Sequence, residues 1–556
     1  MESKLKQIAD AYEKAFFERH PEIGMYWGRT DIPQDRFMDH SMSALQAWHN
    51  QEDIYLRDLK ALDETALHGT PEHLTYQLLK ETLENNQAAR ICHDELWNVN
   101  PLWGWHNILT MLAEKQPIGT PEYRALALTR WRSVETVVFE EIKNLRLGLS
   151  EGYSAPKPVI QRVLKQFHLI LNASLEDSPF IDFAKRDSDP QFKRQMVTLL
   201  EQSINPALKH YANILEEEYL PKARDKIGIS ALPMGGECYL AKIRKETTLA
   251  MQPQDIYAFG LDHMQQLYRE VAKIGQAQCG IQDMAEVFWQ IRHNPKYFFH
   301  SEQDLLQYNY AALEKAIAKT PAWFDLMPKA PGTLKPYPLH RAQTGAAGEY
   351  HAPSEDGKRP GIFYINTFEA HMRSRIDQEA TLYHELIPGH HYQVALAFEN
   401  KSQHSLDKYL WNSGFGEGWA LYVERLADEM GLYHDDISRL GMLSNEALRT
   451  ARLVVDPGIH VMNWTREQAV DYLKKHTALD EIKIEAEVDR YIMNPGQATA
   501  YMLGKREIDN LRQLAKNKLK NRFDVRIFHN QVLKHGAVTL PMLRDQIEHW
   551  LASMGE

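Results

Sequence analysis

The chain has 556 residues, of which 75 are acidic and 64 are basic, and its formal net charge is −11. A chain of this length can bury a large core and ordinarily divides into two or more compact parts. The acidic surplus provides no basic surface for nucleic acid, so we expect no nucleic-acid partner.

The sequence contains no apolar run that approaches the roughly 18–20 residues needed to cross a bilayer, so no membrane span is predicted. The first residues, MESKLKQIAD, lack the apolar stretch of a secretory signal. We therefore expect a cytoplasmic protein, or an exported or lipid-anchored one whose leader was removed. The cysteines Cys92, Cys238 and Cys279 are scattered and odd in number, a pattern that favours buried thiols over a disulfide framework.

The N-terminal half has the apolar periodicity of helices. Apolar residues recur at three- and four-residue steps from Leu5 to Phe16, which indicates the buried stripe of a helix. Similar stripes run through about 40–65, 71–95, 121–150, 157–175 and 190–220. We predict a helical N-terminal lobe at 1–230 and a catalytic lobe at 231–556.

A segment rich in glycine and proline, about 329–367, interrupts this pattern and ends in GIFYINT. Its β-branched and aromatic residues predict a small antiparallel sheet at about 333–367, with the last strand near 361–367. Helical periodicity resumes at about 375, with breaks predicted near 414–416 and 456–458. The expected fold is mainly α: a large multi-helical, two-lobed architecture with one small antiparallel sheet.

The segment most suggestive of chemistry follows the sheet and reads HELIPGHH, from His384 to His391. A histidine followed at once by glutamate on a helix, with a second histidine further on, is typical of zinc peptidases of the zincin type. Two imidazoles hold the metal, and the glutamate, here Glu385, accepts a proton from the attacking water. We therefore predict one Zn²⁺ per chain, in zinc-site helices over about 375–430.

The spacing of the second histidine departs from the usual pattern, in which it stands four residues after the first. Pro388 occupies that position and cannot donate to the carbonyl of His384, so the helix must break or bulge there. On an unbroken helix His391 would share a face with His384 but lie roughly 10 Å further along the axis. If Pro388 and Gly389 looped out of the helix, His390 would instead reach the position of the usual second ligand. Geometry alone leaves His390 and His391 both open.

A third protein ligand is needed if one position is to stay open for water. Glu417, in the segment GFGEGW, lies 27 residues after His390 at the head of a predicted helix. It is the predicted third ligand, because a glutamate on a following helix completes the site in the glutamate type of zincin. Glu424, two turns further along the same face, is predicted to orient a ligand histidine and is the second choice as ligand.

Several motifs together resemble a large bacterial family known as domain of unknown function 885. They are HPEIGMYWG (20–28), RPGIFYINT (359–367), HELIPGHHYQ (384–393), GEGWALYVE (416–424), RLVVDPGIH (452–460) and RYIMNPGQATAYMLG (490–504). The resemblance covers essentially the whole chain, and it implies a zincin-like zinc metallopeptidase. In the family pattern the histidine directly after Pro-Gly is constant, which implies His390 as the ligand and His391 as its neighbour.

The remaining site predictions concern the substrate. Tyr501, Arg490 and His460 are candidates to stabilise the oxyanion, because zinc peptidases commonly use Tyr, Arg or His for this purpose. The strand near 361–367 is interpreted as an edge strand on which an extended peptide pairs its backbone. Tyr364 and Asn366 on it are predicted to bind substrate.

The function predicted from the sequence is a zinc-dependent hydrolase that cleaves short peptides or peptide-like amides. The main alternative is a non-catalytic metal-binding or peptide-binding helical protein, an inactive zincin shell. A zinc amidase acting on a non-peptide amide is a third reading. The presence of Glu385 favours an enzyme, since a pure binder does not need that carboxylate.

Overall fold

The computed structural model describes residues 3–337, 348–354, 359–401 and 403–554. It is mainly helical with one small sheet, which confirms the predicted fold class. The chain divides into two compact units. The first contains Met1–His68 and Leu79–Cys238, and the second contains Gly69–Leu78 and Tyr239–Glu556.

Several of the helices before residue 250 begin at a capping residue or at a proline. Ser3 and Ser41 accept a hydrogen bond from a backbone N–H of the first turn, and Thr120 does so just before Pro121. These helices are α1 (Lys4–Arg19), α2 (Pro21–Tyr26), α3 (Met42–Lys60), α4 (Pro71–Ala89), α5 (Trp105–Lys115), α6 (Pro121–Arg132), α7 (Val134–Glu151), α8 (Lys157–Asn172), α9 (Asp182–Arg186), α10 (Pro190–Leu199), α11 (Asn205–Asn213) and α12 (Gly235–Thr247).

The later helices surround a well-packed core in which Trp419 and Tyr491 are fully buried. They are α13 (Pro253–Cys279), α14 (Met284–His293), α15 (Glu302–Lys319), α16 (Gln378–Glu385), α17 (His390–Glu399), α18 (Ser413–Glu429), α19 (Asp436–Val461), α20 (Arg466–His476), α21 (Glu481–Met493), α22 (Ala500–Leu519), α23 (Val525–Leu533) and α24 (Leu540–Ser553). Within the described residues, none of these helices is both long and apolar enough to cross a membrane.

The sheet has three strands, β1 (Gly332–Pro336), β2 (Gly348–His351) and β3 (Gly361–Ile365), in the order β1-β3-β2. β3 runs parallel to β1 and antiparallel to β2, so the prediction of an antiparallel sheet is wrong. β3 is the central strand, although it is the last of the three in the sequence. The predicted sheet region also includes 338–347 and 355–358, which lie outside the described residues.

One predicted helix break is also wrong. Pro457 lies inside α19, which continues to Val461. A proline there removes one helix hydrogen bond, but the segment Leu453–His460 is buried along its whole length, and tertiary packing outweighs that local cost. The glycines near 414–416 lie in the first turn of α18, which begins at Ser413.

Cys92 and Cys238 form a disulfide, with Cα atoms 4.9 Å apart, and both side chains are 2% exposed. Cys279 is free and exposed. The prediction of three buried thiols is therefore wrong. The two cysteines are 146 residues apart in sequence, so no local sequence pattern predicts their pairing. The bond closes a loop that contains most of the first unit.

We expect the double variant Cys92→Ser/Cys238→Ser to lower the free energy of unfolding by about 2–4 kcal/mol, because the cross-link restricts the unfolded chain. Chemical denaturation with and without reductant measures this. Cys279→Ser is the control, expected within about 0.5 kcal/mol of wild type because its side chain is exposed and forms no disulfide. Three reactive thiols instead of one in denatured, unreduced protein would contradict the pairing.

Candidate metal centre

The predicted break in the HELIPGHH segment is confirmed. His384 and Glu385 end α16, and His390 begins α17. The connecting turn folds back so tightly that a Cβ on Gly389 would lie 1.9 Å from the carbonyl oxygen of His384. The indole N–H of Trp419 donates to the carbonyl of Pro388 at 3.0 Å, which holds the turn against α18.

The turn brings His384 and His390 together, with ring centres 4.8 Å apart and ring planes perpendicular. Glu417, in the first half of α18, faces both rings. Its Oε2 lies 3.6 Å from Nε2 of His384 and 3.3 Å from Nε2 of His390. One ligand atom from each of the three residues lies within 4.8 Å of the other two. All three are in the second unit.

These distances fit a tetrahedral zinc ion. Nitrogen and oxygen ligands roughly 2.0–2.1 Å from one ion lie roughly 3.3–3.5 Å from each other at tetrahedral angles. Two imidazoles and one carboxylate are also the ligands of glutamate-type catalytic sites, in which the fourth position stays open. The three predicted ligands His384, His390 and Glu417 are therefore the residues that would hold the metal.

Glu424, one of the two second choices as ligand, lies behind His384. The Nδ1 atom of His384 is 2.8 Å from Oε1 of Glu424, whose side chain is 1% exposed. Because Nδ1 donates to this carboxylate, Nε2 is left facing Glu417. A carboxylate that fixes the tautomer of a ligand histidine in this way is a common outer partner of zinc sites.

The charges of the cluster shift its protonation. Burial alone would lower the pKa of His384, but the carboxylates of Glu417 and Glu424 raise it to about 9. Burial would raise the pKa of Glu417, but His390 and His384 hold it well below its usual range. Without metal a proton therefore occupies His384 below about pH 9. Because a metal must displace that proton, its binding strengthens as the pH rises towards this value.

Glu385 is the partly exposed carboxylate next to the cluster. In the described part of the chain, it makes no hydrogen bond or ion pair. Its charge reaches the phenol of Tyr350 on β2, where burial and Glu385 together raise the pKa of Tyr350. An unpaired carboxylate beside the ligands is able to accept a proton.

His391, the other second choice, is a structural residue of the sheet. Its Nε2 donates to the carbonyl of Ala330 at 3.0 Å, and its Nδ1 lies 3.1 Å from the hydroxyl of Tyr350. Both nitrogens are thus engaged away from the cluster. A Cβ on Gly332 or Gly361 would lie 2.6 Å or less from the His391 ring, so both strands need glycine where the ring packs.

Tyr501 is brought towards Glu417 by a close helix crossing. A Cβ on Gly504 would lie 1.8 Å from the carbonyl oxygen of Gly414, and one on Gly418 would lie 2.5 Å from Cα of Gly504. The backbones of α18 and α22 therefore touch. The Tyr501 hydroxyl, one turn before Gly504, has no hydrogen-bond partner among the described residues and is free to donate to a substrate oxygen.

Arg490 and His460 are more committed to the protein itself. Arg490 donates to Glu487 and Gln497, and its side chain is partly exposed. His460 is fully buried, with its Nε2 3.0 Å from the carbonyl of Tyr491 and its ring against Tyr239. The structure leaves no face of His460 open to a substrate.

The two predicted substrate-binding residues of the sheet, Tyr364 and Asn366, do not lie on the face of the sheet that contacts His391. Residues opposite each other on paired strands share a face, so Tyr364, opposite Glu349, is on the other face from Tyr350 and His391. Asn366 is 2% exposed, and its side chain accepts the backbone N–H of Phe368 in a turn. Because β3 is the central strand, the prediction that it pairs with a substrate peptide is wrong. Of the described strands, β1 and β2 form the edges.

The sequence reasoning missed Tyr350 and Arg452. No sequence signal identifies Tyr350, which stands on a four-residue strand. Arg452 is the first residue of the motif RLVVDPGIH, from which only the last residue, His460, was predicted to act. The Arg452 guanidinium carbon lies 4.6 Å from the centre of the Tyr501 ring.

Comparisons with known proteins show the family and the fold of the chain. The profile of the family described as "Bacterial protein of unknown function (DUF885)" matches residues 21–547. A crystal structure of a "putative lipoprotein" from Colwellia psychrerythraea is 25% identical, covers 99% of each chain and has a TM-score of 0.90. A "putative lipoprotein of unknown function" from Shewanella oneidensis is 17% identical over 98% of this chain and 100% of that one, with a TM-score of 0.78, and shares the fold. None of the curated proteins gives a significant match.

Gly504→Ala tests the helix crossing. The added methyl group must push α18 from α22, so we expect a loss of about 1–3 kcal/mol in unfolding free energy and weaker zinc binding. Gly236→Ala is the matched control, because a Cβ there meets nothing within 4 Å. Thermal denaturation that finds the two variants equally stable would contradict the crossing.

Glu424→Gln tests the orientation of His384. We expect zinc affinity, measured by competition with a chromophoric chelator, to fall about tenfold or more, because outer partners of ligand histidines contribute at this level. Glu429→Gln is the control on the same helix, where the carboxylate pairs with Arg512 instead. Unchanged affinity in the Glu424 variant would leave Glu424 without a role at the metal.

Proposed function

The chain belongs to the DUF885 family of bacterial proteins, and on that premise we propose that it is a zinc-dependent metallopeptidase that cleaves short peptides or peptide-like amides. One observation carries the proposal: two imidazoles and a carboxylate converge within 4.8 Å, beside a glutamate that makes no hydrogen bond or ion pair among the described residues. A purely structural metal site ordinarily has four protein ligands, whereas this cluster offers three.

His384, His390 and Glu417 would hold the metal. Bound there, zinc would polarise a substrate carbonyl and lower the pKa of water to roughly 7. Glu424 keeps His384 in the tautomer that presents Nε2.

Glu385 is the proposed general base. It accepts the proton of the attacking water and delivers it to the amine that leaves, so one carboxylate serves both halves of the reaction. Tyr501 is the proposed donor to the developing oxyanion, because its hydroxyl has no hydrogen-bond partner among the residues described and its helix is packed against the helix of Glu417. Of the other two predicted donors, Arg490 donates to Glu487 and Gln497, and His460 is excluded because it is buried and hydrogen-bonded.

We also propose that the protein works outside the cytosol. The two similar structures are named as putative lipoproteins, and a buried disulfide persists in oxidising compartments. A count of three free thiols in protein isolated from its native cells would contradict this location.

The test of the proposed function compares wild type, purified without a histidine tag, with two variants. We expect about one zinc per chain by mass spectrometry, lost in His384→Ala/His390→Ala. Glu385→Gln should keep the zinc while its kcat on a peptide library falls by about 10²–10⁴-fold, because it removes the base alone.

Glu429→Gln again serves as the control and should keep both zinc and turnover. Undiminished hydrolysis by Glu385→Gln would remove the proposed base. Zinc without hydrolysis in wild type would favour the non-catalytic metal-binding protein, and no zinc after addition and dialysis would overturn the site.

A further inference from the structure

Three arginines surround Tyr501, outside the metal cluster. The guanidinium carbons of Arg452 and Arg449 lie 4.6 and 5.9 Å from the centre of its ring. Arg490, on α21, is also close enough for its charge to act on the phenol. Burial and the charge of Glu417 raise the pKa of Tyr501, while the three arginines oppose that rise. The charges of both the cluster and the arginines therefore act on the phenol of Tyr501.

Within the described ranges of the chain, these guanidinium groups have fewer acidic partners than positive charges. Arg452 and Arg490 share a single carboxylate, that of Glu487, at 2.7 and 3.0 Å. Arg449 makes no ion pair in the described part of the chain, and its Nη1 donates only to the backbone carbonyl of Asn445 at 3.3 Å. Glu446, one turn before Arg449, is already paired with Arg425 and Lys505. A positive surplus therefore remains beside Tyr501.

Two of these arginines also have nitrogen atoms without a hydrogen-bond partner among the described residues. Nη1 of Arg452, whose side chain is 5% exposed, and Nε of Arg449 are buried and find no hydrogen-bond partner in the part of the chain that the structure describes. An unpaired buried cationic donor is costly, so such atoms are expected where an anion binds. Arg449 and Arg490 are partly exposed, which leaves them open to a ligand.

We propose that Arg449 and Arg490, supported by the buried Arg452, bind the free α-carboxylate of the substrate. This rests on the proposed function and names its substrate class: peptides that end in a free carboxylate shortly after the bond that is cut. The planar guanidinium group is the side chain best suited to a carboxylate, because it offers two parallel N–H donors. Tyr501 then lies beside both the anchored carboxylate and the polarised carbonyl.

Affinity selection with mass spectrometry tests this on zinc-loaded Glu385→Gln, which binds peptides without needing turnover. The probes are two pools of N-acetylated tripeptides with the same mixed sequences, one ending in the free acid and the other in the amide. We expect the acid pool to be retained about tenfold or more over the amide pool, as charge-assisted hydrogen bonds contribute at this level.

Arg449→Gln and Arg490→Gln, each added to Glu385→Gln, should reduce this preference, and Arg449→Lys should keep part of it. Arg506→Gln is the matched control, because this arginine lies on the same helix as Tyr501 but covers the ring of Phe259 at 4.3 Å. It should keep the full preference. Circular dichroism of each variant verifies folding.

Equal retention of the two pools, retention of neither, or a preference that survives both arginine variants would overturn the proposal. An equal loss in Arg506→Gln would also overturn it, since the effect would then come from net charge alone. Hydrolysis by wild type is measured separately. Absent hydrolysis with a clear acid preference would refute the peptidase and leave the carboxylate site standing.

Discussion

The burial of ionisable side chains around His384 is the constraint on which the candidate site depends. Two imidazoles and two carboxylates are withdrawn from water together, and each would be costly alone. They are tolerated because they neutralise one another: Glu424 accepts a hydrogen bond from Nδ1 of His384, and Glu417 faces both Nε2 atoms. Clusters of buried ionisable side chains that shift one another's pKa in this way are typical of functional sites.

The surrounding fold serves this arrangement through close backbone contacts. Gly389 lets the turn between the histidines close, and Gly504 lets α22 touch α18. The glycines of β1 and β3 make room for the ring of His391, which fixes the sheet beneath the second histidine. Each contact lies next to a side chain of the site, so the glycine-containing motifs of the sequence report on packing as much as on chemistry.

The positions of many helices and of the break between the two histidines were predictable from local sequence. The apolar stripes predicted helices that begin near residues 71 and 121, where α4 and α6 begin, and the proline of HELIPGHH predicted the helix break. Long-range partners were not predictable in this way. The pairing of β3 with β1, the bond from Cys92 to Cys238 and the burial that keeps α19 helical at Pro457 all depend on residues distant in sequence. The choice between His390 and His391 came from the family pattern, and the structure gives its physical basis: His391 is already occupied by the sheet.

Placing the two histidines on separate helices also affects how the motif can be engineered. In a regular zincin helix the ligand spacing is a property of one helix, and a short peptide can carry it into another scaffold. Here the spacing depends on a turn anchored by Trp419, which stands on the same helix as Glu417. Any transplant of the motif must therefore take α16, α17 and α18 together. A designed mimic built from the eight-residue segment alone would lack the geometry that brings the two histidines and Glu417 together.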